Sequence, residues 1–514
     1  MTTKAIRNQQ AWARVAGVLL LTLLSFAVMG YHPGLEDDGI YLAAVKAVVN
    51  PALYPHNADF FRLQMQATAF PAAVGGFARV TRIPVAWSEL LWQLGSIFAI
   101  LWACLSMARR LFSEAAAQWS AVAMVGSMLT LPVAGTALFL VDQHLHARTV
   151  ATAFVLLAAA AIAGGRGRWA FPLLACAFLM HPMMAALGTS FCVFLALAFN
   201  ERVSAWIEAL WPARTGVMEG VAAHAGGSRG AFAFAAPLAW VFAEGNPGWR
   251  EALKAHSYYF IYKWAWYEWL GAIAPLALFL LLWRWALKQG ETRLARFALA
   301  VAAYGVFQQA IAVVMIPPIG WMRLTALQPM RYLHLVYFAM ALAGGGLLGR
   351  HVLKRVKWRW AVFLVVFNGV MLAAQVAEFP ASRHLELPGL APKNDWIEAF
   401  DWVRRNTPVD AYFALDPHYL DEPGEDYHGF RALAERSSLA DAVKDAAVVT
   451  QIPSLGPAWL EQVEAQKNWQ EFKLDDFERL KRRFSVNWVV VRDPPPGGLN
   501  CKWHNRTLAV CRVP

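Results

Sequence analysis

VAGVLLLTLLSFAVMG, Val15 to Gly30, is followed almost at once by HPGLEDDGIYL, His32 to Leu42. The first stretch holds no charged residue, and with its flanks it reaches the roughly 20 helical residues that a bilayer core of about 30 Å requires. Lys4, Arg7 and Arg14 stand before it, an order that keeps the N-terminus in the cytoplasm. The same order begins a secretory signal, but no small-residue cleavage site precedes HPGLEDD, so the segment reads as an uncleaved spanning helix. Three consecutive acids, Glu36, Asp37 and Asp38, then lie beside the mouth of this span.

The rest of the chain agrees with a membrane protein. Of 514 residues 58% are hydrophobic and 16% charged, and the mean hydropathy is +0.38, outside the range of ordinary soluble domains. Many of the 24 Trp, among them Trp87, Trp169, Trp266 and Trp358, sit at the ends of apolar runs, where an amphipathic ring prefers the headgroup layer. The net charge of +11 comes from short Lys/Arg clusters between apolar runs. It forms no continuous basic stripe, which argues for membrane orientation and against a nucleic-acid partner.

Further spans are expected at about 87–108, 115–140, 148–163, 169–187, 188–199, 230–243, 267–287, 296–316, 331–349 and 359–378, so that the bundle has about 9–12 helices. Keeping Arg109/Arg110, Arg166/Arg168, Lys288/Arg293/Arg296 and Arg350/Lys354/Arg355/Lys357 cytoplasmic makes 169–199 a tight hairpin. By that parity the acidic loop 31–86, the loop DQHLHAR (Asp142 to Arg148), the segment WMRLTALQPM (Trp321 to Met330) and everything after about 379 share the external side. The expected division is a transmembrane domain, 1–378, and a small C-terminal α/β domain, 379–514. In the latter, Asn394 to Asn406 reads as an amphipathic helix. AYFALDP (411–417), AAVVTQI (446–452), VNWVVVR (486–492) and TLAVCRV (507–513) read as buried strands, the last two paired. Cys501 and Cys511 suit a disulfide across a hairpin in an oxidising compartment, whereas Cys104, Cys176 and Cys192 read as small buried hydrophobes.

Chemistry-bearing residues gather on the external side. Asp37 and Asp38 precede a helix-like stretch; capping uses one of them and leaves the other carboxylate free as a general base or cation ligand. Asp142, His144, His146 and Arg148 crowd one short loop, a pattern open to ligand contact or to plain loop polarity, without the third His or Cys that zinc needs. His181, beside Pro182 in an apolar run, reads first as a packed, hydrogen-bonded histidine. Arg331 opens a late span and Arg323 precedes it; either suits phosphate or simply snorkels to the interface. Arg431 and Glu435 read as an i,i+4 pair. Walker, dinucleotide, GxSxG and CxxC signatures are absent.

The layout of one span, an acidic first loop, many spans and a C-terminal external domain resembles the C-type membrane glycosyltransferases, the superfamily of protein mannosyltransferases, oligosaccharyltransferases and aminoarabinose transferases. The resemblance rests on LEDDGIYL, DQHLHAR and PMRYL. It implies a bacterial inner-membrane transferase that moves a sugar from a polyprenyl-phosphate-linked donor to a glycan, lipid or protein acceptor on the external face. It further implies Asp37 or Asp38 as the first-loop acid that serves as base or metal ligand, and Arg331 at the donor phosphate, where Arg323, His146 and Arg148 are expected to join it. A divalent cation, Mg or Mn, would be held by Asp38, Asp142 and His144. The second loop departs from the family, with one acid and two His where some members carry an acidic pair, so the need for metal stays open. The alternatives from other classes are a transporter or flippase-like carrier and an envelope assembly factor, against which stand the one-sided polar groups and the absence of repeated halves.

Overall fold

The computed structural model describes residues 3–201, 203, 245–316 and 322–514. Seven helices among them are long and apolar enough to cross a membrane: Asn8–Met29, Val85–Leu111, Pro182–Phe199, Trp266–Lys288, Thr292–Met315, Pro329–Leu353 and Lys357–Glu378. Two shorter apolar helices, Ala147–Ala163 and Gly167–Met180, join them. The expected span at 230–243 lies outside the described residues. Helix Lys357–Glu378 leaves Val362, Val365, Val366 and Val370 exposed, an apolar surface suited to lipid. Pro329–Leu353 is instead the central helix, mostly buried. It approaches helix Ala115–Ser127 at Gly345 and Gly349, where a Cβ would lie 2.7 Å from the Ser120 carbonyl and 2.6 Å from that of Ala116. Small residues four apart allow this contact between backbones.

The structure corrects three readings of the sequence. The stretch 115–140 is helical only over Ala115–Ser127. It then turns back as a small antiparallel hairpin, β1 (Pro132–Val133) with β2 (Leu138–Phe139), because Pro132 interrupts helix hydrogen bonding and Gly135 and Ala137 adopt positive φ. The break expected near 187 falls at His181-Pro182, where one helix ends at Met180 and the next begins. AAVVTQI is no strand but part of helix Lys444–Gln451. The Asp441 carboxylate starts that helix by accepting from the Val443 and Lys444 amides.

The C-terminal region carries a five-stranded mixed sheet in the order β4-β3-β5-β7-β6, built from β3 (Tyr412–Ala414), β4 (Ser437–Ser438), β5 (Trp488–Arg492), β6 (Asn500–His504) and β7 (Leu508–Arg512). Alternate residues face opposite sides. Phe413, Trp488, Val490, Leu508 and Val510 pack under helix Asp395–Asn406. Tyr412, Val489, Val491, Ala509 and Cys511 meet Phe477 and Leu480 of helix Leu474–Phe484. Coverage on both faces is why these strands read as unbroken apolar runs. The expected pairing of the last two runs is present, Trp488 opposite Arg512, and Cys501 and Cys511 are disulfide-bonded.

Backbone bonds attach this domain to the first loop. The Glu36 amide donates to the Tyr427 carbonyl (2.9 Å), that of Gly429 to Gly34 (2.8 Å), and that of Glu386 to Tyr31 (2.9 Å). Gly39 and Gly429 touch without side chains, since a Cβ on Gly429 would stand 2.6 Å from the Gly39 Cα. One apolar cluster then joins Ile40 and Tyr41 of the first loop, Leu145 of the second, Trp249 and Leu253, and Val448 and Val449 of the C-terminal domain. The acidic loop is therefore a junction of packed elements.

Candidate active site

At this junction the chain turns sharply. Gly34 (φ +79) and Glu36 (φ +54) take left-handed conformations, and the Asp38 Oδ2 accepts the Gly34 amide at 2.6 Å. Helix Asp38–Val49 follows, with Asp37 at its N-cap position making no side-chain capping bond. The sharing of roles expected from the sequence is thus different in detail. Asp38 is buried and holds the turn, with the Glu89 carboxyl beside it, and burial pushes its carboxyl above the usual range. Asp37 is the free one, its side chain 36% exposed.

In the second loop His146 is the N-cap of helix Ala147–Ala163, its Nδ1 accepting the Arg148 amide at 2.8 Å. A neutral imidazole that accepts at Nδ1 carries its proton at Nε2, and Nε2 stands 3.5 Å from the Asp37 Oδ2. The Arg148 Nη2 donates to the Asp142 Oδ1 at 2.7 Å, while its Nε and Nη1 have no partner although the side chain is 4% exposed. Lys444 reaches across from the C-terminal domain, its Nζ bonded to Glu36 and 3.4 Å from the Asp37 Oδ1. Arg331 rides on the turn Pro329–Tyr332 with its buried Nε unpartnered.

Asp37, His146, Arg148, His181 and Arg331 line one cavity of about 300 Å³, together with Tyr41, Thr68, Tyr258, Tyr259, Gln328 and Gln451. Burial alone would raise Asp37, but Lys444 and then His146 hold its carboxyl well below the usual carboxylate range. Burial likewise opposes ionisation of Asp142, yet Arg148 and the neighbouring imidazoles bring it down to about 2. Burial, followed by Arg148, lowers His146 to about 4. Near neutral pH the cavity therefore presents an ionised carboxylate, a neutral imidazole and two guanidinium groups, one partly neutralised by Asp142. Such a site accepts an anionic group on its arginine side and a proton on its aspartate side.

Of the residues singled out in the sequence, Asp37, His146, Arg148 and Arg331 meet in this cavity, whereas Asp38, Asp142 and His144 do not line it. The side chain of Arg323 lies outside the described residues. His181 is the hydrogen-bonded histidine its setting suggested, Nδ1 accepting the Met184 amide at 3.3 Å, and its ring also faces the cavity, 6.1 Å from that of His146. The cation set Asp38, Asp142 and His144 does not converge: Asp142 is paired with Arg148 and Asp38 with the Gly34 amide. Among the described residues, His32, Glu386 and His428 form the one group of three metal donors within reach of each other. Lys444, Tyr258 and Tyr259 escaped the sequence reading because nothing local marks them; only folding brings them to Asp37 and Arg331. Arg431 and Glu435 also part company, Arg431 binding Asp445 and Glu435 binding Lys46.

No protein-family model and no curated protein matches this chain. Among solved structures it is similar to the archaeal oligosaccharyltransferase AglB from Archaeoglobus fulgidus in complex with an inhibitory peptide and a dolichol-phosphate. Identity there is 12% and the TM-score 0.42, over 94% of this chain and 70% of that one. A second structure, the Archaeoglobus fulgidus oligosaccharyltransferase in complex with Zn and sulfate, gives 11% identity and a TM-score of 0.42 over 93% and 68% of the two chains.

Proposed function

We propose that this cavity is the active site of a membrane glycosyltransferase that takes a sugar from a polyprenyl-phosphate-linked donor and passes it to an acceptor on the external face of a bacterial inner membrane. The observation that carries the reading is the convergence of an ionised Asp37 and the unpartnered guanidinium nitrogens of Arg148 and Arg331 on one cavity beside the spans. The isoprenoid would lie among the helices, with the phosphate against the two arginines. The acceptor hydroxyl attacks the anomeric carbon, the bond from that carbon to the phosphate oxygen breaks, and charge grows on the leaving phosphate, which the arginines stabilise. Asp37 receives the acceptor proton. A carboxylate depressed this far is a weak base, so it takes that proton late, once the forming bond has acidified the hydroxyl. His146 orients Asp37 through its Nε2 proton, and Lys444 keeps it ionised. The donors facing this cavity do not form a cation site, so no step is routed through a metal.

The arginine half of this reading has a test that does not depend on the sugar. Polyprenyl monophosphate, the leaving group itself, binds the purified full-length protein in nanodiscs, and Arg331→Gln weakens that binding about tenfold to a hundredfold, the worth of a charged hydrogen bond. Equal binding by the two proteins, or none by the wild type, removes Arg331 from the phosphate and the reading with it.

A further inference from the structure

A second cluster lies away from the cavity, where the two ends of the spanning bundle meet the C-terminal domain. His32 follows the first span, Glu386 follows the last one, and His428 precedes the short helix Phe430–Ala434. The Glu386 Oε2 stands 3.3 Å from the His32 Nδ1 and 3.0 Å from the His428 Nε2. One donor atom from each of the three residues lies within 4.8 Å of the others, and both histidines are fully buried. Two ligands about 2.0–2.1 Å from a tetrahedral zinc are about 3.3 Å apart, so small inward movements of these atoms suffice to ligate one.

We infer that His32, Glu386 and His428 form a zinc site that clasps the C-terminal domain to the exits of the first and last spans. Hydrogen bonds from both imidazoles to Glu386 account for the facing atoms alone. They leave Asp426, 4% exposed, with both carboxylate oxygens buried and unpartnered. A buried carboxylate without a hydrogen-bond donor is costly, and a dication held beside Glu386 and Asp426 supplies the partner that Asp426 lacks. Two imidazoles among three donors select zinc over Mg or Mn, which prefer oxygen shells. Three protein ligands leave a fourth position for water or for Asp426. The backbone is already laced at this point, with Tyr31 bridged to Leu385 and Leu35 to His428. A cation here fixes the loop that carries Asp37 five residues on.

The test reads metal and not sugar transfer. Full-length protein purified in detergent, stripped with chelator and reloaded with zinc chloride, retains one zinc per chain by elemental analysis, and its Tm rises by a few degrees on reloading. His428→Ala retains none. Asp426→Asn, which spares the three ligands and keeps the proposal testable if His428→Ala does not fold, weakens zinc binding about tenfold to a hundredfold. Absence of retained zinc in the wild type, retention unchanged in His428→Ala, or a Tm indifferent to zinc overturns the proposal. None of these outcomes bears on whether polyprenyl phosphate binds near Arg331.

Discussion

Asp37→Asn lowers sugar transfer by about 10²–10⁴-fold, the usual contribution of a positioned proton acceptor, and leaves donor binding nearly unchanged. In cells the polyprenyl-linked sugar accumulates while its product disappears. The amide is the same size, and with its oxygen in the place of Oδ2 it keeps the approach to the His146 Nε2 (3.5 Å), while its NH2 takes the place of Oδ1 and Lys444 keeps its bond to Glu36. What is lost is the capacity to take the acceptor proton. Asp38→Asn behaves differently, because that carboxyl holds the Gly34 amide and does not face the cavity; its cost appears in Tm ahead of turnover. In the wild type, Asp37 is held well below the usual carboxylate range and His146 at about 4. Turnover then shows no acid limb near the ordinary histidine value and declines only as pH falls toward 4. Transfer by Asp37→Asn within threefold of wild type sinks the role assigned to this carboxylate.

Arg431→Met costs about 3–5 kcal/mol of stability, the penalty of removing one member of a buried ion pair. The Arg431 guanidinium meets the Asp445 carboxylate in two parallel bonds of 2.7 and 2.8 Å, and its Nη2 also donates to the Ser438 and Leu439 carbonyls, both at 3.3 Å. Asp445 is fully buried. Without the arginine its charge has only backbone donors left, such as the Asp441 amide at 2.9 Å. The loss is read as a lower urea midpoint. Arg431→Met with Asp445→Leu recovers much of it, because replacing the pair by apolar groups leaves no uncompensated charge. A shift below about 1 kcal/mol for the single variant, the scale of exposed pairs, contradicts the buried pairing. Lys444 adjoins Asp445 in the chain, so loosening this helix also withdraws Lys444 from Asp37.

The spans were legible because length and apolarity are local properties: Val85–Leu111 or Lys357–Glu378 needs no partner to be recognised. The strand at Trp488–Arg492 was legible for the same reason. AAVVTQI was misread because a short apolar run fits a buried strand or one face of a short helix equally well. The deciding feature, the Asp441 carboxylate accepting amides two to four residues on, is local but lies just outside the apolar run. The second-loop cluster was visible as composition, but its division of labour was not. Spacing alone cannot tell that His146 turns its Nδ1 to the Arg148 amide, or that Asp142 is consumed by Arg148 and so withdrawn from any cation. Glu435 shows the same limit: an i,i+4 partner for Arg431 on paper, it sits at φ +55 and binds Lys46 at 2.8 Å. Lys444, Tyr258 and the His32, Glu386, His428 cluster join distant segments through loops, and no periodicity announces them.

The central claim is that one cavity holds both the proton acceptor and the phosphate of a lipid-linked sugar. The most direct measurement is a cryo-EM map of the full-length protein in nanodiscs with polyprenyl monophosphate bound. The account predicts phosphate density within hydrogen-bond reach of the Arg331 and Arg148 guanidinium groups, on the side of the cavity facing Asp37, with the isoprenoid leaving between the spans. Phosphate density elsewhere, for example in the groove lined by Trp102, Arg166 and Trp169, with the Asp37 cavity free of lipid, contradicts it.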